Sequence, residues 1–144
     1  MKPRLYFVAT LVSAAFLLSP VQASDWNALI SGGDVSGYSV EGTTKIDVQR
    51  ARILHDQGVA FVDFRDQSNW AEGHVAGAIH CGNVTESNIA SIVSKDTPVV
   101  FYCEGAECRS AAEAAAMAVD WGFQSVHYFA AGYAAWEAAG HPVE

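Results

Sequence analysis

Pro98-Val99-Val100-Phe101-Tyr102-Cys103-Glu104-Gly105-Ala106-Glu107-Cys108-Arg109-Ser110 is the stretch on which the fold turns. Val99 to Tyr102 is apolar throughout, of strand length, and lacks the polar alternation of a half-exposed strand. Such a run reads as a strand buried on both faces, as in a parallel sheet. Cys103 follows directly. After a short loop containing Gly105, an alanine-rich run from Arg109 to Trp121 predicts a helix that Gly122 stops. The cysteine therefore lies between the carboxyl end of a strand and the start of a helix. A helix start presents unpaired N–H groups and a partial positive charge, which favour an anion in the loop before it. A thiolate is such an anion, so the setting favours the nucleophilic form of Cys103. Arg109 adds a permanent charge suited to gripping an oxyanion, Ser110 offers a hydroxyl, and Gly105 opens conformations closed to other residues. Taken alone, Cys103 also reads as a buried structural cysteine at a strand end.

The same alternation runs outward in both directions. Val59 to Asp63, Val75 to His80 and Ser125 to Phe129 read as further strands, and Tyr38-Ser39-Val40 could pair as a short one. Helical spacing of Val48, Ala51, Ile53 and Leu54 follows Asp47, a plausible N-cap, and ends at Gly58. Shorter helical pieces are expected at Asp66 to Trp70, Asn88 to Val93 and Ala134 to Ala139. Strands alternating with helices predict one α/β domain, residues 45–144, with a parallel sheet and helices on both faces. In such folds ligands bind beyond the carboxyl ends of the strands, where Cys103 lies.

The N-terminal region reads differently. Lys2 and Arg4 precede an apolar run from Leu5 to Leu18, Pro20 breaks it, and Val21-Gln22-Ala23 offers small residues at a peptidase site. That order of parts predicts a signal peptide over residues 1–23 and a secreted or periplasmic protein. The run is shorter than the roughly 20 residues a membrane-spanning helix needs; an uncleaved N-terminal anchor is the alternative reading. No second apolar stretch of spanning length follows, so no membrane association is expected after cleavage. Residues 24–44, with Gly32, Gly33, Gly37 and Gly42, read as an irregular arm. The net charge is −8, and removing residues 1–23 takes away two basic side chains and no acidic one. An acidic surface of this kind argues against nucleic acid as a partner. Three cysteines, Cys81, Cys103 and Cys108, leave at least one unpaired within the chain.

Four stretches together resemble the rhodanese-like family. They are Phe61-Val62-Asp63-Phe64-Arg65-Asp66, Trp70 to His80 with its Gly73-His74 and Gly77-Ala78-Ile79, Val99 to Ser110, and Ala131-Gly132-Tyr133-Ala134-Ala135-Trp136 followed by Gly140-His141-Pro142. The resemblance covers about Ile46 to Glu144. It implies a sulfurtransferase: Cys103 takes a sulfane sulfur from a small anion such as thiosulfate, holds it as a persulfide and passes it to a thiophile such as cyanide or a thiol. It also implies Arg109 as anion stabiliser, a substrate-binding loop of Glu104, Gly105, Ala106, Glu107, Cys108 and Ser110, and no metal or organic cofactor. Two further readings stay open: a non-catalytic module of the same fold that binds a protein partner, and a thiol-disulfide redox protein.

Two features depart from the family's pattern. Five residues separate Cys103 from Arg109, one more than the usual sulfurtransferase loop and similar to fold relatives that act on phosphate or arsenate. Glu104 and Glu107 argue against a phosphate site, because facing inward they would repel a doubly charged anion, thiosulfate included; as surface residues they are unremarkable. Cys108 is the second departure, and it resembles an exported subgroup with a Tyr-Cys-x-Gly-x-x-Cys loop. It could resolve an oxidised or persulfidated Cys103 as a disulfide partner, form a structural bridge, or simply pack at the helix start. Cys81 reads as a buried cysteine, Asp63 and Arg65 as a structural pair, His74 as a structural hydrogen-bonder and Trp136 as core. A zinc site from Cys103, Cys108, His74 and His80 fits no common ligand spacing.

Overall fold

A computed structural model describes residues 38–144. The expected signal peptide and the arm up to residue 37 lie outside the described residues. Five strands, β1 (Thr44–Ile46), β2 (Ala60–Asp63), β3 (Ile79–His80), β4 (Val99–Tyr102) and β5 (Val126–Phe129), form one sheet in the order β1-β5-β4-β2-β3. Every pairing is parallel. Parallel neighbours need crossovers, and helices supply them: α1 (Val48–Asp56), α2 (Gln67–Glu72), α3 (Glu86–Ile92), α4 (Ser110–Asp120) and α5 (Gly132–Ala138).

β4 lies in the middle of the sheet and all four of its residues are buried. Its side chains alternate between two cores. Val99 and Phe101 join Val62, Ile89, Val126, Tyr128 and the alanines of α4 on one face. Val100 and Tyr102 join Phe61, Leu54, Phe129 and Trp136 on the other. Burial on both faces is why β4 reads as a continuous apolar run. Ala111, Ala114, Ala115 and Ala118 are fully buried, so the absence of bulk along α4 brings that helix close to the sheet. Local signals also hold: the Asp47 side chain accepts from Arg50 N at 2.7 Å and caps α1.

Two strand expectations need correction. Tyr38 to Val40 forms no strand; the carbonyl of Val40 instead accepts from Thr43 N at 3.2 Å and Thr43 Oγ1 at 2.8 Å, closing a turn. The edge strand is β1, starting at Thr44. Of the expected strand at Val75 to His80, only Ile79–His80 pairs in the sheet. Gly77, at φ +76°, turns the chain, and Val75 forms an isolated antiparallel bridge with Val143.

Candidate active-site loop

Cys103 leaves the end of β4 buried, with 4 % of its surface exposed. Residues 104–109 then wrap into a compact loop before α4 begins at Ser110. Its carbonyls are held from outside. Tyr133 N donates to Cys103 O at 2.9 Å, and Ala134 N donates to Glu104 O at 3.0 Å. These are first-turn N–H groups of α5, which have no partner within their own helix. The approach is close enough to demand glycine at residue 132: at φ +64°, a Cβ there would lie 2.4 Å from Cys103 O. Within the loop, Cys108 N donates to Gly105 O at 3.1 Å.

Cys103 and Cys108 are joined by a disulfide, with Cα atoms 6.1 Å apart. A bridge across so short a loop stabilises the fold by only about 2 kcal/mol in the chain-entropy account. The backbone bonds from α5 hold the carbonyls of Cys103 and Glu104 independently of it. Over the loop lies a cavity of about 450 Å³ lined by residues 104–108 and Ala134. A second, larger cleft of about 710 Å³ opens beside it, between the ends of β2 and β3 and the start of α4, with Arg65, Asp66, His80, Cys81, Asn83 and Ser110 on its walls.

The charges are arranged differently from the sequence expectation. Arg109 is turned outward: its guanidinium lies 3.6 Å from Glu113 Oε1 and 5.6 Å from the centre of the Tyr38 ring, and its side chain is 70 % exposed. The backbone cause is plain. Arg109 is the cap residue of α4 in helical conformation, which sends its side chain along the helix to the residue four further on. A second cation, Arg65, buried at the end of β2, reaches the loop from outside. Its Nε and Nη2 donate to Asp63, Nη2 also donates to Gly73 O, and Nη1 donates to Glu104 Oε2 at 3.1 Å. The Tyr133 ring stacks 4.1 Å from its guanidinium carbon. Burial alone would weaken the hold of Arg65 on its proton; Asp63 and then Glu104 more than offset this and raise its pKa.

Glu104 is thus tied back to Arg65, while Glu107 is exposed at the mouth. Gly105 and Ala106 are half-buried, and Ser110 is exposed at the edge of the larger cleft. Cys81 is buried; burial pushes its thiol up, and the thiol donates to Asn83 O at 3.4 Å. His74 stacks on Trp70 and hydrogen-bonds Trp70 O, and Trp136 is fully buried with Nε1 donating to Pro142 O at 2.8 Å. Among the described residues no cluster of His, Cys, Asp and Glu suits a metal ion. The sequence reading paired Arg65 with Asp63 but did not connect it to the loop, and it gave no role to Tyr133. The signal was an acidic residue directly after the cysteine, with a strand-end arginine able to reach it.

The fold and loop define a parallel α/β domain with a cysteine-bearing loop at the carboxyl end of its central strand. The rhodanese-like domain profile matches residues 48–139, and the chain belongs to that family. A relative from Pseudomonas fluorescens, named thiosulfate sulfurtransferase GlpE, is 34% identical over 100 residues, 69% of this chain and 89% of that protein. Among solved structures, the BH2092 protein of Bacillus halodurans superposes with a TM-score of 0.62 at 27% identity, over 71% of this chain and 77% of that one. A Rhodopseudomonas palustris protein described as a possible tyrosine phosphatase superposes with a TM-score of 0.59 at 30% identity, over 71% and 85%.

Proposed function

We propose that the chain is an exported sulfurtransferase that moves a sulfane sulfur from a donor such as thiosulfate to a thiophilic acceptor through a persulfide on Cys103. The observation that carries this is the placement of Cys103, at the end of the central strand with its loop held around it, in a rhodanese-like chain whose relatives include thiosulfate sulfurtransferases. The cycle begins once the Cys103–Cys108 bond is reduced. The Cys103 thiolate attacks the outer sulfur of thiosulfate, the S–S bond of the donor breaks, and sulfite leaves with the electron pair. With Arg109 turned onto Glu113, stabilisation of the charge falls to loop N–H groups and the first turn of α4. A thiophile then attacks the outer sulfur and restores the thiolate. Neither displacement requires a metal or organic cofactor. Export rests on residues 1–23, with their basic start, apolar run and Ala23.

The reduced protein is expected to convert thiosulfate and cyanide to thiocyanate and sulfite, and Cys103→Ser to abolish that conversion. Equal turnover by Cys103→Ser would overturn the reading. A second reading is favoured by one observation, the bond that occupies the Cys103 sulfur. In that reading the domain is a binding module or a thiol-disulfide redox protein, and the reduced wild type would form no thiocyanate.

A further inference from the structure

The geometry points to Cys108 as a resolving thiol that discharges the Cys103 persulfide as hydrogen sulfide, so that the site acts as a reductive sulfane-sulfur lyase as well as a transferase. The inference rests on the persulfide reading above. It starts from the direct bond between Cys103 and Cys108 across a loop that the rest of the fold holds in place. Tyr133 N on Cys103 O, Ala134 N on Glu104 O and Arg65 on Glu104 are all independent of the bridge. Cys108 is held in turn by its N–H on Gly105 O and by packing against the core that contains Cys103, so breaking the S–S bond leaves the Cys108 sulfur within reach of the Cys103 sulfur. An internal thiol so placed competes with an acceptor from solution, and a concentrated acceptor such as cyanide still takes its share of the sulfur.

The chemistry balances. After the first step Cys103 carries an outer sulfur, Cys103–S–SH. The Cys108 thiolate attacks the inner sulfur. The bond from inner to outer sulfur breaks, and the outer sulfur leaves with the electron pair as hydrosulfide, which takes up the proton that Cys108 released and departs as hydrogen sulfide. The product is the Cys103–Cys108 disulfide found in the structure. A dithiol reductant then reopens the bond and is itself oxidised to a disulfide. The sum is thiosulfate plus dithiol giving sulfite, hydrogen sulfide and disulfide.

The charge pattern favours discharge over storage. A persulfide anion is held best by cations facing it. Here Arg109 faces Glu113 and Tyr38, Arg65 is engaged by Asp63 and Glu104, and Glu107 is exposed on the loop. The cavity of about 450 Å³ over residues 104–108 is walled in part by Cys108, the attacking thiol of this step.

The test is a single turnover of pre-reduced protein, freed of reductant and mixed with thiosulfate or with the singly charged donor benzenethiosulfonate. Intact mass, sulfite or sulfinate, and sulfide are followed together. The wild type should release one sulfide per chain and end two hydrogens lighter than the dithiol, with the bridge mapped to Cys103–Cys108. Cys108→Ala, and Cys108→Ser as a second variant should the first fold poorly, should instead gain one sulfur, keep it, and release no sulfide. A wild type that keeps the added sulfur, or a Cys108 variant that releases sulfide as fast as the wild type, overturns the resolving role and leaves the persulfide reading standing. If no protein gains sulfur or releases sulfide from either donor, both readings fall.

Discussion

At the scale of single residues, the arginine next to the loop in sequence is not the one joined to it in space. Arg109 is legible as part of the motif, but the direction of its side chain is fixed by the helical backbone at the cap of α4 and by Glu113. Arg65, nearly forty residues earlier, reaches the loop because β2 and β4 are sheet neighbours and end together, with Asp63 paired to Tyr102. No local pattern encodes that neighbourhood. Because the Arg65 and Asp63 side chains are only 3 % and 0 % exposed, Arg65→Met leaves a buried carboxylate without its partner. It should cost about 3–5 kcal/mol, read as a fall in the urea midpoint, and Asp63→Asn in the same chain should recover part of the loss. Glu107 is the exposed acid of the loop. Glu107→Gln should raise kcat/KM for thiosulfate about two- to fivefold at low ionic strength, and less as salt screens the charge. The same value at every salt concentration would place its carboxylate away from the anion. Adding Glu104→Gln should raise turnover further, at some loss of order in the loop, since Glu104 is the tether to Arg65.

At the scale of elements, what the sequence makes legible is what burial writes into it. β2, β4 and β5 have apolar runs because both their faces are covered, and α4 is spelled by the alanines that lie flat on the sheet. The edge strands are poorly legible for the converse reason. β1 and β3 are three and two residues long, too short for a period to show, and Tyr38 to Val40 imitates a strand until the Thr43 turn takes up its last carbonyl. Helix α5 does more than cover the sheet: its first turn holds the carbonyls of Cys103 and Glu104, and Gly132 makes the approach fit. Gly132→Ala adds a side chain in a left-handed conformation against a backbone oxygen. It should destabilise by about 2 kcal/mol or more, and the displaced loop should lower kcat/KM for thiosulfate in a variant that is still fully folded at the assay temperature. A folded variant with unchanged kcat/KM would show that α5 supports stability alone.

At the scale of the whole molecule, two histidines with lowered pKa contribute to the response to mild acid. His127 on β5 has its pKa lowered, first by burial and then by the charge of Arg50, and its Nδ1 is buried without a hydrogen-bond partner. His141 is lowered too, mainly by burial. In the unfolded chain such a group takes up its proton near pH 6.5, while the folded chain resists until lower pH. The contribution to stability is therefore complete above about pH 6.5 and is lost as pH falls towards the folded values. The urea midpoint should drop between pH 7 and pH 5, and His127→Gln should flatten that slope; an unchanged slope would assign the loss to other groups. The uniform direction of the five strands has a practical corollary. Every strand starts at one rim of the sheet and finishes at the other, so the exposed Asp96-Thr97 turn before β4 and the cysteine loop after it lie at opposite rims of the sheet. In the bridged state Cys103 and Cys108 offer no thiol and Cys81 is buried, so Thr97→Cys would supply a single accessible handle. A bead or electrode coupled there would hold every copy in one orientation, with the sulfur chemistry facing the solution.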